Sequence, residues 1–327
     1  MNSSALLFLA VTISMAIGVL LPHFTKIFAP YLLIWLAGLL LLNLIQLETS
    51  ELVSAFARAK DIVLLSLIKL VVLPLALYAS TSVIYPALAL PILLLSGIST
   101  GLGAPFVANF VGSKLTLIVG LIIVTSLMVP FVLPPIVHLL YGSHFSIPLI
   151  HMIVLLSAAL FAPFLAGWFT KKFASNTAEF ISQKSLYFSI VLIALINMAL
   201  FSKISIYFFE SPLFIIEMTL IAFLLFGVYG TVGYTLTLVV TGITRLKTSE
   251  RGNTNDSKSN TKEWKREAAI EGLIAMAYVN NILVAVFAEQ FFGIQTAVLP
   301  AVYNIPYYIG IIILKKLYSV QAHRVKN

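Results

Sequence analysis

The sequence predicts an all-α protein with many membrane-spanning helices, and three observations predict it. Hydrophobic residues make up 60% of the chain and charged residues only 10%, whereas a soluble domain is about half apolar and about a quarter charged. Ten apolar runs each reach or approach the ~20 residues that a helix needs to cross a bilayer. The basic residues between these runs fall almost entirely on one side of the predicted membrane.

The predicted spans follow one another along the chain with mostly short connections. They cover residues 5–21, 29–46, 62–79, 86–111, 115–140, 147–169, 185–202, 212–243, 268–290 and 293–314. The first run has no basic leader and no convincing small-residue cleavage site, which favours a retained helix over a signal peptide.

Charge sets the predicted topology. With ten spans, both termini lie on the side that carries 17 of the 20 Lys and Arg residues, and only Lys26 and Lys203 lie opposite. The positive-inside rule therefore predicts a multi-pass protein of the inner (cytoplasmic) membrane with both termini in the cytoplasm. Lys69, in LLSLIKLVVLPL (64–75), belongs to neither side.

One polar segment divides the chain. Residues 245–266, RLKTSERGNTNDSKSNTKEWKR, are nearly free of apolar side chains and predict a flexible, removable cytoplasmic linker. It separates spans one to eight (1–244) from spans nine and ten and a short tail (267–327), within one integrated membrane domain.

The chain shows no signature of catalysis or of metal binding. Its histidines lack HExxH spacing, the GLG at 101–103 lacks the third glycine of a dinucleotide loop, and there is no Walker motif and no cysteine. We therefore expect a protein that is not an enzyme, holds no metal or cofactor and does not bind nucleic acid.

The fourth span carries a polar interruption. SGISTGLGAPFVANFVGSK (96–114) includes Thr100, Gly101, Gly103 and Pro105, and the proline disfavours helix at Ala104. Irregular backbone at membrane depth is tolerated only where protein or water satisfies it. A break in the helix at Gly101 and Pro105 is predicted, with a simple proline kink as the alternative.

The ninth span offers a partner for this interruption. AMAYVNNILVAVF (275–287) carries Asn280 and Asn281, two amides that need hydrogen-bond partners. Spans four and nine hold corresponding places in two five-helix halves, which predicts an inverted repeat with crossed discontinuous helices at a substrate site. The alternative is that the amides only tie the crossing helices together.

In these stretches the chain resembles the bile acid:sodium symporter family, of the bacterial ten-helix type. The resemblance runs through LETSELVSAFARAKDIVLLSLIKLVVLPLALY, GISTGLGAPFVANFVGSKLTLIVGLIIVTSLMVPFVLPPIV and NNILVAVFAEQFFGIQTAVLP. It implies a panel domain and a core domain, with helices four and nine crossing beside the transport site. The substrate contacts that we assign on this basis are Thr100, Gly103, Asn109, Asn280, Asn281 and Tyr308.

The chain departs from the family where sodium would bind. Oxygen-bearing side chains of the family's pattern fall here on Ala104, Pro105, Ile118, Ile122, Ala275 and Val279. None of these side chains can coordinate a hard cation. Glu271 could substitute only if helix nine were shifted by one turn. The family's histidine near the end of helix ten falls on Tyr308, so the usual bile-acid contacts differ as well.

Lys69 stands where the resemblance implies a sodium-binding Gln. A tethered ammonium there would replace the mobile cation, with snorkelling to the headgroups as the alternative. Because burial disfavours the charged form of a lysine, proton coupling is a further expectation.

The sequence thus predicts a sodium-independent secondary transporter of a small organic anion (bile-acid-like, pantoate-like or another carboxylate) that works by alternating access in the lipid bilayer. An auxin-efflux-like carrier and a non-transporting receptor or assembly subunit are the alternatives. Substrate identity, the direction of transport and the oligomeric state stay open.

Overall fold

The fold is helical throughout the part of the chain that the structure describes. A computed structural model describes residues 3–46, 54–55, 57–101, 103–142, 148–249 and 258–326. The α-helices, in chain order, are α1 (Ser3–Leu20), α2 (Pro22–Thr25), α3 (Leu32–Gln46), α4 (Ala59–Leu67), α5 (Leu73–Ile84), α6 (Ala89–Ser96), α7 (Ala104–Val111), α8 (Thr116–Tyr141), α9 (Leu149–Phe173), α10 (Ser175–Glu210), α11 (Pro212–Ser249), α12 (Lys258–Ala277), α13 (Asn281–Phe292), α14 (Ile294–Val302) and α15 (Asn304–Lys326). Short 3-10 helices at Lys26–Tyr31 and Pro86–Leu88 and a π-helical turn at Ile68–Val72 complete them.

Several of these helices are long and apolar enough to cross a membrane. Within the described ranges there are seven: Pro22–Asn43, Ala59–Ile84, Thr116–Tyr141, Leu149–Phe173, Ser175–Glu210, Pro212–Thr241 and Ile294–Lys316. Shorter apolar helices lie at Leu6–Leu20 and Pro86–Ser96, within the predicted first and fourth spans, and at Asn281–Phe292, which overlaps the end of the predicted ninth span. The prediction of an all-helical polytopic membrane protein is confirmed. The ten-span count and the inverted repeat stay predictions.

The chain divides into two compact units. The first comprises residues 1–47, 129–221 and 281–304. In it α10 packs along α1 and α3, α9 packs against α3, and α13 and α14 pack together. Gly18 of α1 lets α1 and α10 pack closely, since a Cβ at this position would lie 2.9 Å from the Phe201 Cβ of α10.

The second unit comprises residues 48–128, 222–280 and 305–327. It holds α4 to α7, the first half of α8, most of α11, α12 and most of α15. Helix α5 packs against α6, and α12 packs against α7. The residues of α6 are all buried, which fits a helix enclosed by other helices on every side.

Two helical runs of the second unit are interrupted. The first stops at Ser96 and resumes at Ala104, and the second stops at Ala277, with three residues between it and Asn281, where α13 starts. Contrary to the expectation for Pro105, Ala104 is helical, because Pro105 lies in the first turn of α7, where its missing N–H has no intrahelical acceptor to lose. Gly112 ends α7 in the left-handed conformation (φ 84°), as a C-terminal glycine cap does.

Helical structure extends into the predicted linker at 245–266 from both ends. Helix α11 extends to Ser249 and α12 begins at Lys258. Residues 250–257 lie outside the described residues. That the segment is removable stays a prediction.

Candidate functional site

The two helix breaks in the second unit pair with each other through their backbones. Thr100 and Val279 form an antiparallel bridge. The Gly101 N–H donates to the Tyr278 carbonyl at 2.7 Å, and the Asn280 N–H donates to the Ser99 carbonyl at 3.0 Å. Each break therefore satisfies backbone groups of the other, which is what non-helical backbone at membrane depth requires.

Gly101 is required by this close approach. A Cβ built on it would lie 2.7 Å from the Val279 carbonyl oxygen and 3.0 Å from the Tyr278 carbonyl oxygen. These neighbours are backbone atoms, so they cannot turn aside as a flexible side chain would. No other residue type fits without displacing the pairing.

Thr100 is buried, and both its N–H and its hydroxyl form hydrogen bonds inside the protein. Its N–H donates to the Thr125 hydroxyl at 3.0 Å, and its own hydroxyl donates to the Ala275 carbonyl at 2.8 Å. Thr125, on α8, in turn donates to the Leu121 carbonyl at 2.6 Å. The predicted substrate contact Thr100 thus also ties the first break to α8 and α12. Sequence reasoning missed Thr125, which forms a Thr-Ser pair with Ser126 in an otherwise apolar run.

Lys69 lies inside the second unit, against the end of α12. Only 1% of the residue is exposed, and its Nζ donates to the Met276 carbonyl at 3.2 Å. The carbonyls of a helix's last turn lack intrahelical partners and carry partial negative charge, which favours a cation there. The lysine sits in the π-helical turn Ile68–Val72, a local widening of the helix that is frequent at functional sites.

Three side chains on one face of the pairing have buried polar atoms without a hydrogen-bond partner. In an antiparallel pairing, opposed residues share a face and alternate residues return to it, so Ser99, Tyr278 and Asn280 lie on one face and Thr100 on the other. The Ser99 Oγ, the Tyr278 hydroxyl and the Asn280 Nδ2 form no hydrogen bond. All three groups can donate.

Asn281 plays a different part from its neighbour. It belongs to the first unit, where its Nδ2 donates to the Pro300 carbonyl at 3.1 Å and to the Asn304 Oδ1 at 2.8 Å. The amide thus ties the start of α13 to the turn between α14 and α15. These contacts agree with the structural alternative for Asn281.

The remaining predicted substrate contacts separate into two groups. Gly103 lies against the Tyr307 hydroxyl, in the space that a Cβ would fill. The Tyr307 ring lies 4.6 Å from the ring of Tyr278 and 5.3 Å from that of Tyr308, between ring centroids, so Gly103 and Tyr308 flank one tyrosine cluster of the second unit. Asn109 is exposed on the last turn of α7, and the structure does not bring it into the buried pairing.

A buried carboxylate that the sequence analysis considered only as an ion ligand joins three helices of the second unit. Glu271, 2% exposed, accepts from the Leu117 N–H in the first turn of α8 at 2.6 Å. The Arg58 guanidinium, beside the start of α4, lies 3.8 Å from the same carboxylate. A carboxylate at a helix N-terminus is stabilised by the free N–H groups there. The signal in the sequence was an acidic residue within an apolar run.

The residues at the predicted sodium positions are apolar, and all of them except Pro105 are buried. Ile118 and Ala275 are 0% exposed and Ile122 is 2% exposed. In the described part of the chain, no group of three or more His, Cys, Asp or Glu residues could hold a metal ion.

The fold and site define a polytopic membrane protein in which two broken helices pair through their backbones beside a buried lysine. Comparison of the chain with protein-family models and with curated proteins gives no match. The resemblance to bile acid:sodium symporters therefore stays a prediction.

Proposed function

We propose that this protein is a secondary transporter of a small organic anion, a bile-acid-like, pantoate-like or other carboxylate, and that it works by alternating access without sodium. Lys69 takes the place of a bound cation. The observation that carries the proposal is the burial of its ammonium beside two interrupted helices, with the Met276 carbonyl as a hydrogen-bond acceptor.

A buried ammonium favours an anionic ligand. An ammonium has three N–H donors, and burial without a counter-charge is costly. Among the residues described, Lys69 donates to one carbonyl and forms no ion pair with a carboxylate. A carboxylate substrate that approaches it would compensate this charge.

The unpartnered groups on the face of Ser99, Tyr278 and Asn280 suit the same ligand. A buried donor left without a partner costs about 1–3 kcal/mol. A carboxylate accepts several hydrogen bonds, so it suits donors of this kind. A cation would bind less well here, because the Asn280 Nδ2 can only donate hydrogen bonds and cannot coordinate a positive charge.

Uptake into proteoliposomes tests the proposal. Ligands are first selected by a thermal-shift screen of carboxylates and sulfonates, with cholate and pantoate included. Uptake of the labelled hits is then measured in sodium-free buffer at several pH values for the native chain, Lys69→Ala and Lys69→Gln. Lys60→Gln, which removes an exposed lysine near the start of the same helical run, is the matched control.

We expect sodium-free uptake by the native chain and by the control, and its loss in both Lys69 variants. A strict requirement for sodium, or normal uptake by Lys69→Ala across the pH range, would show that the lysine does not replace the cation.

A non-transporting receptor is the second candidate. It is favoured by the internal hydrogen bonds of Thr100 and Asn281, which occupy two of the predicted substrate contacts. A receptor would bind the screened ligand without accumulating or exchanging it. Counterflow of labelled against unlabelled ligand separates the two functions.

A further inference from the structure

The C-terminal end of α9 exposes an aromatic and basic surface, which we call the WFTKKF patch after residues 168–173. Trp168 and Phe169 are each 49% exposed and Phe173 is 70% exposed. Lys171 and Lys172 lie between them and are also exposed. The patch belongs entirely to the first unit.

The side chains of the patch are organised around one ammonium. Lys172 Nζ lies 4.7 Å from the centre of the Trp168 ring and 5.3 Å from that of Phe173. Phe169 packs edge-on against Trp168, with 4.9 Å between ring centres, and stacks on Phe173 at 5.8 Å. Ring faces attract a cation, so the lysine is held in place while part of its charge still faces outward.

The length of α9 places the patch at the membrane surface. Helix α9 has 25 residues, which corresponds to ~37 Å at 1.5 Å per residue, whereas the hydrocarbon core is ~30 Å thick. Because lysine charges are costly in hydrocarbon, the C-terminal end is the one that extends, with the last turn among the headgroups and Trp168 one turn deeper, at the level that aromatic side chains prefer.

We propose that the WFTKKF patch binds the phosphate of an anionic phospholipid in the leaflet where α9 ends. Lys171 and Lys172 supply adjacent positive charges, and in the residues described Lys172 forms no ion pair with a carboxylate. Glu179, the acidic residue that follows along the chain, bonds to Gln183 instead. The three rings lie against the glycerol and upper acyl region of the same lipid.

A zwitterionic phospholipid matches the patch less well. Its headgroup places a second cation next to the phosphate, which the two lysines repel. Basic residues at a membrane surface favour anionic lipid by about fivefold for each Lys. The preference therefore depends on charge, while the general affinity for lipid depends on the rings.

Trp168 itself supplies the measurement. The chain has three tryptophans, so the full-length Trp35→Phe, Trp264→Phe protein reports from Trp168 alone. It is reconstituted in phosphatidylcholine vesicles that contain phosphatidylglycerol, with bromine labels on the acyl chains of either lipid. Bromine quenches tryptophan fluorescence on contact, so the two labels show which lipid lies at the patch.

We expect brominated phosphatidylglycerol to quench Trp168 at a several-fold lower mole fraction than brominated phosphatidylcholine. Lys171→Gln with Lys172→Gln should bring that preference close to equality, and 1 M salt should weaken it. Lys26→Gln, which removes an exposed lysine elsewhere in the same unit, should leave the preference unchanged.

Two results would overturn the inference. Equal quenching by both lipids would show an aromatic belt without headgroup recognition. Weak quenching by both would show that protein, such as a second copy of the chain, covers the patch.

Discussion

Replacing Gly101 by alanine tests whether the backbone pairing holds the second unit together. The added Cβ would lie 2.7 Å from the Val279 carbonyl oxygen and 2.9 Å from its carbonyl carbon. Relief of this overlap needs a displacement of about half an ångström. Such a displacement would stretch the 2.7 Å hydrogen bond to the edge of good geometry and the 3.0 Å hydrogen bond beyond it.

The expected cost follows from these two bonds. Each buried backbone group that loses its partner costs about 1–3 kcal/mol, so two weakened bonds predict a loss of about 2–6 kcal/mol. Gly227→Ala is the matched control, because the same methyl group on α11 would meet nothing within 4 Å. In a helix interior, alanine is more favourable than glycine by about 0.5–1 kcal/mol.

The measurement is the thermal midpoint of both variants and the native chain, purified in the same detergent and heated at one scan rate. Gly101→Ala should melt roughly 3–9 °C lower, and Gly227→Ala should match or slightly exceed the native chain. If Gly101→Ala melts together with Gly227→Ala, the crossing does not depend on the close contact between these backbones.

Three further outcomes are expected. Asn281→Ala should lower the thermal midpoint, because it breaks two hydrogen bonds. Asn280→Ala should lower uptake with little loss of stability, because the Asn280 Nδ2 has no partner. The reverse pattern would show that Asn281 binds substrate and Asn280 supports the fold. Glu271→Leu should cost about 1–3 kcal/mol more than Glu271→Gln, which can still accept from the Leu117 N–H, and equal stability of the two variants would refute that bond's importance. Protease should cut residues 245–266 only in inside-out vesicles and leave the core folded; cutting only in right-side-out cells would contradict the ten-span topology.

The helices and the sites of interruption could be predicted from the sequence because their causes are local. Long apolar runs have few alternatives to helix in a membrane protein, and Thr100 and Gly101 lie within the observed interruption between Ser96 and Ala104. The local pattern gave the wrong expectation for Ala104. A proline disfavours helix at the residue before it, but it is also well suited to the first turn of a helix, where Pro105 lies. The local pattern also gave no sign of the turn at Tyr303 that separates α14 from α15.

The pairing of side chains could not be predicted, because it depends on contacts between distant parts of the chain. The sequence marked Lys69 as a buried charge. Its acceptor is the backbone carbonyl of Met276, and because every residue has such a carbonyl, the sequence could not identify it. Asn280 and Asn281 look equivalent as neighbouring amides. Only the fold shows that the Asn281 side-chain Nδ2 is already bonded and that the Asn280 Nδ2 is not.

The backbone pairing between Thr100 and Val279 has a consequence for biosynthesis. At roughly 5–20 residues per second, the ribosome delivers Val279 on the order of 10–35 s after Thr100. During that interval the Gly101 N–H and the Ser99 carbonyl lack their final partners. They must be hydrated, remain in the translocon or bind a temporary partner. We therefore expect chains truncated before residue 278 to be held by insertion chaperones or degraded, even though most of their apolar helices have already been made.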